Sequence, residues 1–316
     1  MIPQPQTVLV LGGSGFIGRH VVARLVELGH RVTVLTRRRA SARHLILLPT
    51  VEVLEGDAFD RGTLMRLSVP ANAVINLVGV LNPPRPEGFE RAHVELPRLL
   101  CDVCREAGTR RIVHVSALGA DAAGGPSRYL RSKGEGENVV MQSGLDWTIV
   151  RPSVVFGRED SFTNRFARLC RMFPVLPLGA ADARFQPVYV RDVAHCIAYA
   201  LGDDVTIGQR YGLCGPQVYT LRDLVRYVGN VSGYPRPVVA LGASTAKLQA
   251  LMLELAPGRL LTRDNLLSMS RDSVCEGPFP PVFDIAPTAL EAVAPSWLAP
   301  AAIRSPYETD REQSGR

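Results

Sequence analysis

Apolar residues in this chain come as short continuous runs, separated by stretches in which apolar positions recur with helical spacing. Residues 8–11 (VLVL) form the first run. Further runs follow at 31–35 (RVTVL), 51–54, 73–78 (AVINLV), 111–115 (RIVHV) and 147–150. Mostly apolar runs of this length, rich in Val, Ile and Leu, suit parallel strands buried on both faces. Between them, 16–28 reads as a helix closed by Gly29, a short helix ends near 67, and 89–107 reads as a long helix. Strand and helix alternate, which predicts an α/β fold: a doubly wound parallel sheet with its ligand crevice at the carboxyl ends of the strands. Past about residue 152 the rhythm fades. We therefore expect three parts. Residues 1–152 form the core of alternating strands and helices, 153–299 the late strands plus a smaller C-terminal lobe, and 300–316 a polar, disordered tail. One helical stripe, Ala246, Leu248, Leu251, Met252 and Leu255, is either core packing or a face for a hydrophobic partner or lipid boundary.

Composition narrows the class. Hydrophobic residues make up 46% and charged residues 21%, ordinary for a globular chain. No apolar run reaches the ~18 residues of a membrane span. No basic segment followed by an apolar core opens the sequence, so we expect no secretory signal. The net charge of +6 is carried by arginine, with Lys133 and Lys247 the only lysines. That surplus suits an acidic cofactor, an anionic membrane surface or an acidic partner. Aromatic residues do not interleave with the basic ones, and nucleic acid is not expected. Six cysteines are scattered at 101, 104, 170, 196, 214 and 275, and we expect them reduced and buried. Cys101-x-x-Cys104 has no second pair at metal spacing, so it reads as helix packing, and no metal site is expected.

Candidate chemistry begins after the first strand. Gly12, Gly13, Gly15 and Gly18 sit between a strand and a helix, the context of a dinucleotide-binding loop. Both Gly13-x-Gly15-x-x-Gly18 and Gly12-x-x-Gly15-x-x-Gly18 fit. The glycines permit the turn, the approach of a pyrophosphate and close helix packing. Ser14, Phe16 and Ile17 complete the loop and bring helix N–H groups to the phosphates. Where a NAD site would place an acid, the second strand ends in Thr36-Arg37-Arg38-Arg39. Guanidinium in place of carboxylate points to a 2′-phosphate, so NADP(H) is the expected form and NAD(H) the alternative. A solvated basic turn is the rival reading of these arginines. Asp57 either reaches an adenine amino group or, like Asp60, caps a short helix. Val78 and Gly79 end the fourth run, where a glycine suggests close backbone approach to the ligand.

Ser116 ends the fifth strand, and Tyr129 and Lys133 stand four apart on the next helix. A phenol near pKa ~10 is a poor proton donor at neutral pH. A nearby ammonium and a positive nicotinamide would lower it, making proton exchange with a carbonyl feasible. Arg151 and Pro152 end the sixth strand, and the loop after them would lie over the nicotinamide. Asp192 reads as an N-cap or a surface carboxylate rather than a catalyst.

These features together resemble the atypical short-chain dehydrogenase/reductases. Four further stretches narrow the match: SRYLRSKGEGE (127–137), FGREDSFTNRFA (156–167), QPVYVRDV (186–193) and LLTRDNL (260–266). They resemble the NAD(P)H-binding accessory subunits of respiratory complex I and their bacterial relatives. The resemblance implies a Rossmann-type sheet with a small C-terminal lobe and a tightly held NADPH that stabilises the protein. Docking on the peripheral arm near the membrane is implied as well, with cytoplasmic placement or peripheral attachment to the inner face of the plasma membrane. By position it carries Gly12, Gly15, Gly18, Arg37, Asp57, Gly79, Tyr129 and Lys133 into the cofactor site. The lack of a targeting segment suggests a bacterial chain. Three readings stay open: a complex I-associated subunit or assembly factor, a free-standing reductase or epimerase using Tyr129 and Lys133, and a dinucleotide-responsive regulator.

Overall fold

The expected alternation folds into one seven-stranded sheet in which every neighbouring pair is parallel. The structure is a computed structural model that describes residues 5–255 and 261–300; the expected tail from 301 onward lies outside the described residues. The first half runs β1 (Thr7–Leu11), α1 (Phe16–Glu27), β2 (Arg31–Thr36), β3 (Val51–Glu55), α2 (Arg61–Ser68), β4 (Ala73–Asn76), α3 (Glu87–Glu90), α4 (Leu96–Ala107), β5 (Arg111–Val115), α5 (Arg128–Met141) and β6 (Asp146–Pro152). The second half runs β7 (Val155–Phe156), α6 (Phe162–Met172), β8 (Leu176–Leu178), β9 (Arg184–Phe185), β10 (Val188–Tyr189), α7 (Val190–Gly202), β11 (Gln209–Leu213), β12 (Tyr219–Thr220), α8 (Leu221–Val231), β13 (Val238–Ala240), α9 (Ala243–Leu255) and α10 (Arg263–Ser268). Strand order is β11-β6-β5-β4-β1-β2-β3, so the winding reverses between β1 and β4. That reversal is the hallmark of a doubly wound Rossmann-type sheet.

Alternation along the strands decides which helices cover which face. Val8 and Val10 of β1 pack with Val21, Val22 and Leu25 of α1 and Val193 and Ile197 of α7. Leu9 and Leu11 face the other way, toward Leu64 of α2, Leu100 of α4 and Val140 of α5. A third core, built on Phe156, Phe185, Leu221, Leu224 and Val228, belongs to the smaller lobe with its three short ladders, β7–β10, β9–β12 and β8–β13.

Several expectations are corrected in detail. The fourth strand stops at Asn76 rather than Val78, because the Asn76 side chain takes the Val78 N–H at 3.1 Å and turns the chain off the ladder. The long helix contains a π turn over Arg91–Glu95. Asp60, not Asp57, caps α2 by accepting from Thr63 N–H at 2.9 Å. Tyr189 occupies the N-cap of α7, and Asp192 instead accepts from the Thr288 N–H at 2.7 Å and hydroxyl at 3.1 Å, gripping the C-terminal segment. The stripe on α9 does not pack as one face. Ala246 and Ala250 are buried, while Leu248, Leu251 and Met252 are exposed; the Leu255 side chain lies outside the described residues.

Not all six cysteines are free thiols. Cys214, just past β11, is joined by a disulfide to Cys275, 61 residues on. Cys101, Cys104, Cys170 and Cys196 are free and buried, and burial pushes Cys101 up to about 11 and Cys104 to about 12. Those values suit inert packing thiols. Reduction of the Cys214–Cys275 bridge is expected to lower stability by up to about 4 kcal/mol, the loop-entropy limit for a closure of this length. Calorimetry with and without reductant checks this, and Cys275→Ser should not respond to reductant.

Candidate functional site

Where strand order reverses, the loops after β1 and β4 part and leave a crevice. The glycine loop forms its floor. Gly12 sits at φ +80°, and a Cβ there would lie 3.0 Å from the Leu77 carbonyl carbon. Gly18 is the tightest: a Cβ would stand 2.2 Å from the Gly12 oxygen and 2.6 Å from the Gly13 Cα. Gly15 caps α1, yet a Cβ there would meet only the Gly12 oxygen, at 3.2 Å. That contact is tight but single, so packing within the protein restricts Gly15 far less than Gly18. No side chain caps α1 and no acid stands in its first turn, which leaves the positive end of the helix to the crevice. Phe16 packs edge-on to His20 and Ile17 joins the first core.

At the end of β2 the buried Thr36 occupies the place of the ribose-binding acid, 3.3 Å from the Ser14 hydroxyl. Arg37 and Arg38 follow, both exposed. Glu55 takes the Arg39 N–H at 2.8 Å and steers this turn. Arg37 lines a cavity of about 530 Å³ together with Asp57, Phe59, Val80 and Arg91. The Arg91 guanidinium lies 4.3 Å over the Phe59 ring, and one Asp57 oxygen accepts from Phe59 N–H at 3.0 Å. Arg38 does not line the cavity.

At the other end of the crevice, Lys133 is 5% exposed and donates to the Val115 carbonyl at 3.0 Å, which brings it beside Ser116. Among the described residues, the Ser116 hydroxyl is buried without a hydrogen-bond partner, as is Nε2 of His114. Tyr129 lies one turn back on α5, its ring edge-on to Phe89 and His93 at 6.3 and 5.6 Å. Among the described residues, no hydrogen bond links the side chains of Ser116, Tyr129 and Lys133. Burial lowers Lys133 to about 8, partly offset by Glu137. Burial raises Tyr129 to about 12, the reverse of the direction expected from a neighbouring ammonium. Val78 is partly buried against the second core. Pro152 ends β6, and its carbonyl takes the Leu118 N–H at 3.0 Å. Arg151 points elsewhere, forking onto the buried Glu137 with Nε at 2.7 Å.

The conspicuous late blocks close around this site. Asp264 of α10 accepts from Arg128 N–H at 2.8 Å and Tyr129 N–H at 3.2 Å, while Ser268 bonds Ser127 at 2.8 Å. In 156–167, Asp160 gathers Gly157 N–H and both the N–H and hydroxyl of Thr163, and Glu159 reaches His20 at 3.3 Å on α1. A second cavity, about 820 Å³, lies behind α5 against Glu137, Arg151, Arg210 and Arg271. Neither cavity is lined by Ser116, Tyr129 or Lys133. Sequence reasoning passed over Asn76, Phe59, Arg91, His93 and His114. For Asn76 and His114 a signal existed: each is a polar residue inside an otherwise apolar strand.

A family model described as NAD(P)H-binding matches residues 12–204. Mouse (Mus musculus) NADH dehydrogenase [ubiquinone] 1 alpha subcomplex subunit 9, mitochondrial, is 37% identical over 72% of this chain, which spans 63% of the length of that relative. Ceramide reductase of Caulobacter vibrioides is 32% identical over 72% of this chain and 70% of its own. Among solved structures, gox2253 superposes with a TM-score of 0.72 at 27% identity, covering 92% of this chain and 97% of that one.

Two outcomes follow from this geometry. Gly18→Ala forces a methyl into backbone and should destabilise the unliganded protein by several kcal/mol, in the upper range for overpacking. Gly15→Ala should leave unliganded stability within about 1 kcal/mol. Thermal melts of the ligand-free proteins check the contrast. For Lys133, the folded value of about 8 lies below the ordinary 10.5. Between those values the unfolded chain binds a proton that the folded chain lacks, so stability rises with pH across that window and is lost as pH falls through 8. Denaturant titrations should find this rise in the wild type and not in Lys133→Met.

Proposed function

Because the chain belongs to the NAD(P)H-binding family, we propose that it holds NADPH as a structural ligand and docks on respiratory complex I at the membrane surface. The observation that carries the cofactor half is the N-terminus of α1, which among the described residues has no side-chain cap and no acid in its first turn, set behind a glycine turn whose backbone lies bare to the crevice. The orphan Ser116 hydroxyl at the far end of the crevice fits the same ligand. On this reading Gly12, Ser14, Gly15, Phe16, Ile17 and Gly18 surround the pyrophosphate. Arg37 and Arg38 meet the 2′-phosphate, Asp57 the adenine, and Val78, Gly79, Ser116, Tyr129, Lys133 and Pro152 the nicotinamide end. The basic turn after β2, with Thr36 in place of an acid, favours NADP(H) over NAD(H).

The docking half draws on the similarity to the mouse NADH dehydrogenase subunit. Exposure of Met172, Phe173 and Val175 beside Arg171, and of Leu248, Leu251 and Met252, supplies apolar surface on the smaller lobe for a partner. Among the described residues no helix is long and apolar enough to cross a membrane, so attachment would be peripheral. Support over turnover is favoured by α10, whose Asp264 bonds over the start of α5.

A second reading, an NADPH-dependent reductase, is favoured by the partnerless Ser116 hydroxyl beside Lys133 and by the likeness to ceramide reductase. When bound, reduced nicotinamide supplies a hydride. Ser116 would hold the substrate oxygen, Tyr129 would give it a proton, and Lys133 would stabilise the phenolate left behind.

Two measurements test the proposal. Calorimetric titration should give tighter binding of NADPH than of NADH. Arg37→Ala should weaken NADPH about 10- to 100-fold, the value of one charge-assisted contact, and leave NADH nearly unchanged. In a deletion strain, Tyr129→Phe should restore complex I assembly and NADH:quinone activity. A Tyr129→Phe protein that keeps its nucleotide and fails to complement would transfer the assignment to the reductase.

A further inference from the structure

Beside the nucleotide crevice stands a histidine that neither reading uses. His93 is 2% exposed, and both of its ring nitrogens are engaged. Nε2 takes the Val80 N–H at 3.0 Å. Nδ1 lies 2.8 Å from the Ser132 hydroxyl, which in turn donates to the Tyr129 carbonyl at 2.9 Å. A hydroxyl has one proton, and here it goes to Tyr129. The histidine proton is therefore on Nδ1, and Nε2 is a bare acceptor. The ring also stands edge-on to the Tyr129 ring at 5.6 Å and tilted to Phe89 at 5.9 Å.

The backbone under His93 is equally constrained. It lies in the π turn Arg91–Glu95, whose wider winding offsets the residues on either side. Gly136 of α5 crosses directly over it, where a Cβ would be 2.0 Å from the His93 oxygen. On its other side is Gly79, where a Cβ would lie 3.2 Å from Lys133 Nζ and 3.8 Å from His93 Nε2. One side chain thus spans the gap between the chain after β4 and the helix that carries Tyr129 and Lys133.

We infer that His93 is a positioning residue that fixes the backbone of Gly79 and Val80 against Tyr129 and Lys133, and so sets the wall of the nicotinamide end. The inference rests on the proposed nucleotide reading only for what that wall contacts. The clamp requires a neutral ring, since an imidazolium has no lone pair for Val80. Burial, with Lys133 and His114 nearby, lowers His93 to about 2, so the clamp persists across the working pH range.

The test uses the full chain as wild type, His93→Phe and His93→Gln. Phenylalanine keeps ring packing and removes both hydrogen bonds; glutamine can accept and donate along the same line. Amide hydrogen exchange over 78–82 should quicken about tenfold or more in His93→Phe, the equivalent of one lost hydrogen bond, and return toward wild type in His93→Gln. With added NADPH as probe, affinity should fall and nicotinamide emission change in His93→Phe, with rescue by glutamine. Unchanged exchange in a folded His93→Phe overturns the inference. So does faster exchange with NADPH affinity and emission untouched, which would leave His93 a packing residue. A wild type that binds no NADPH defeats the proposed function instead, and exchange alone then decides the role of His93. Should His93→Phe not fold, Ser132→Ala opens the chain from its other end under the same readouts.

Discussion

The contact between α1 and the turn before it governs the geometry of this molecule. With no Cβ on Gly18, the first turn of α1 lies against Gly12 and Gly13 at backbone distance. That proximity aims the helix axis at the crevice and holds its uncapped N-terminus over the switch point between β1 and β4. Any side chain at Gly18 would lift the helix away. The valines and leucine that bind α1 to the sheet would then lose their register. Packing and ligand geometry meet in this one contact.

Helix α5 is the second organising element, and its two sides serve different ends. Toward the crevice it offers Tyr129 and Lys133; toward the π turn before α4 it presents Gly136, which lets α5 cross on the His93 backbone. Gly134 does the same against Asp121 and Ala122, with a Cβ only 2.2 Å from the Ala122 nitrogen. Behind it, Glu137 is locked to Arg151 on β6. A helix held so closely on every side has little freedom to adjust. The buried ammonium of Lys133 is tolerated there because Val115 accepts from it and Glu137 offsets part of its desolvation.

The smaller lobe bears on this site from a distance in sequence. Asp264 joins the cap of α5, Glu159 braces the start of α1, and Asp192 binds Thr288 across the end of α7. Each carboxylate accepts hydrogen bonds from a different element, so the lobe secures both helices that frame the crevice. The described residues of FGREDSFTNRFA, QPVYVRDV and LLTRDNL thus act on the helices around the crevice through these carboxylates.

Local information was enough for the strand–helix rhythm through β6, the glycine loop and the absence of an acid after β2. Each depends on residues within a turn or two of one another, and periodicity reports such order directly. The placement of Lys133 near Ser116 was legible too, since it needs only the strand-to-helix sequence. Other features depended on neighbours far along the chain. β11 joins the sheet only after an intervening stretch that holds α6, four short strands and α7, and its short run carries too little alternation to be recognised. The Cys214–Cys275 bridge, the Asp264 cap and the clamp of His93 on Val80 each need two segments brought together by the folded core. Burial then moves Tyr129 up and His93 down from their ordinary values, because desolvation depends on what surrounds a group in space and not on its neighbours in sequence.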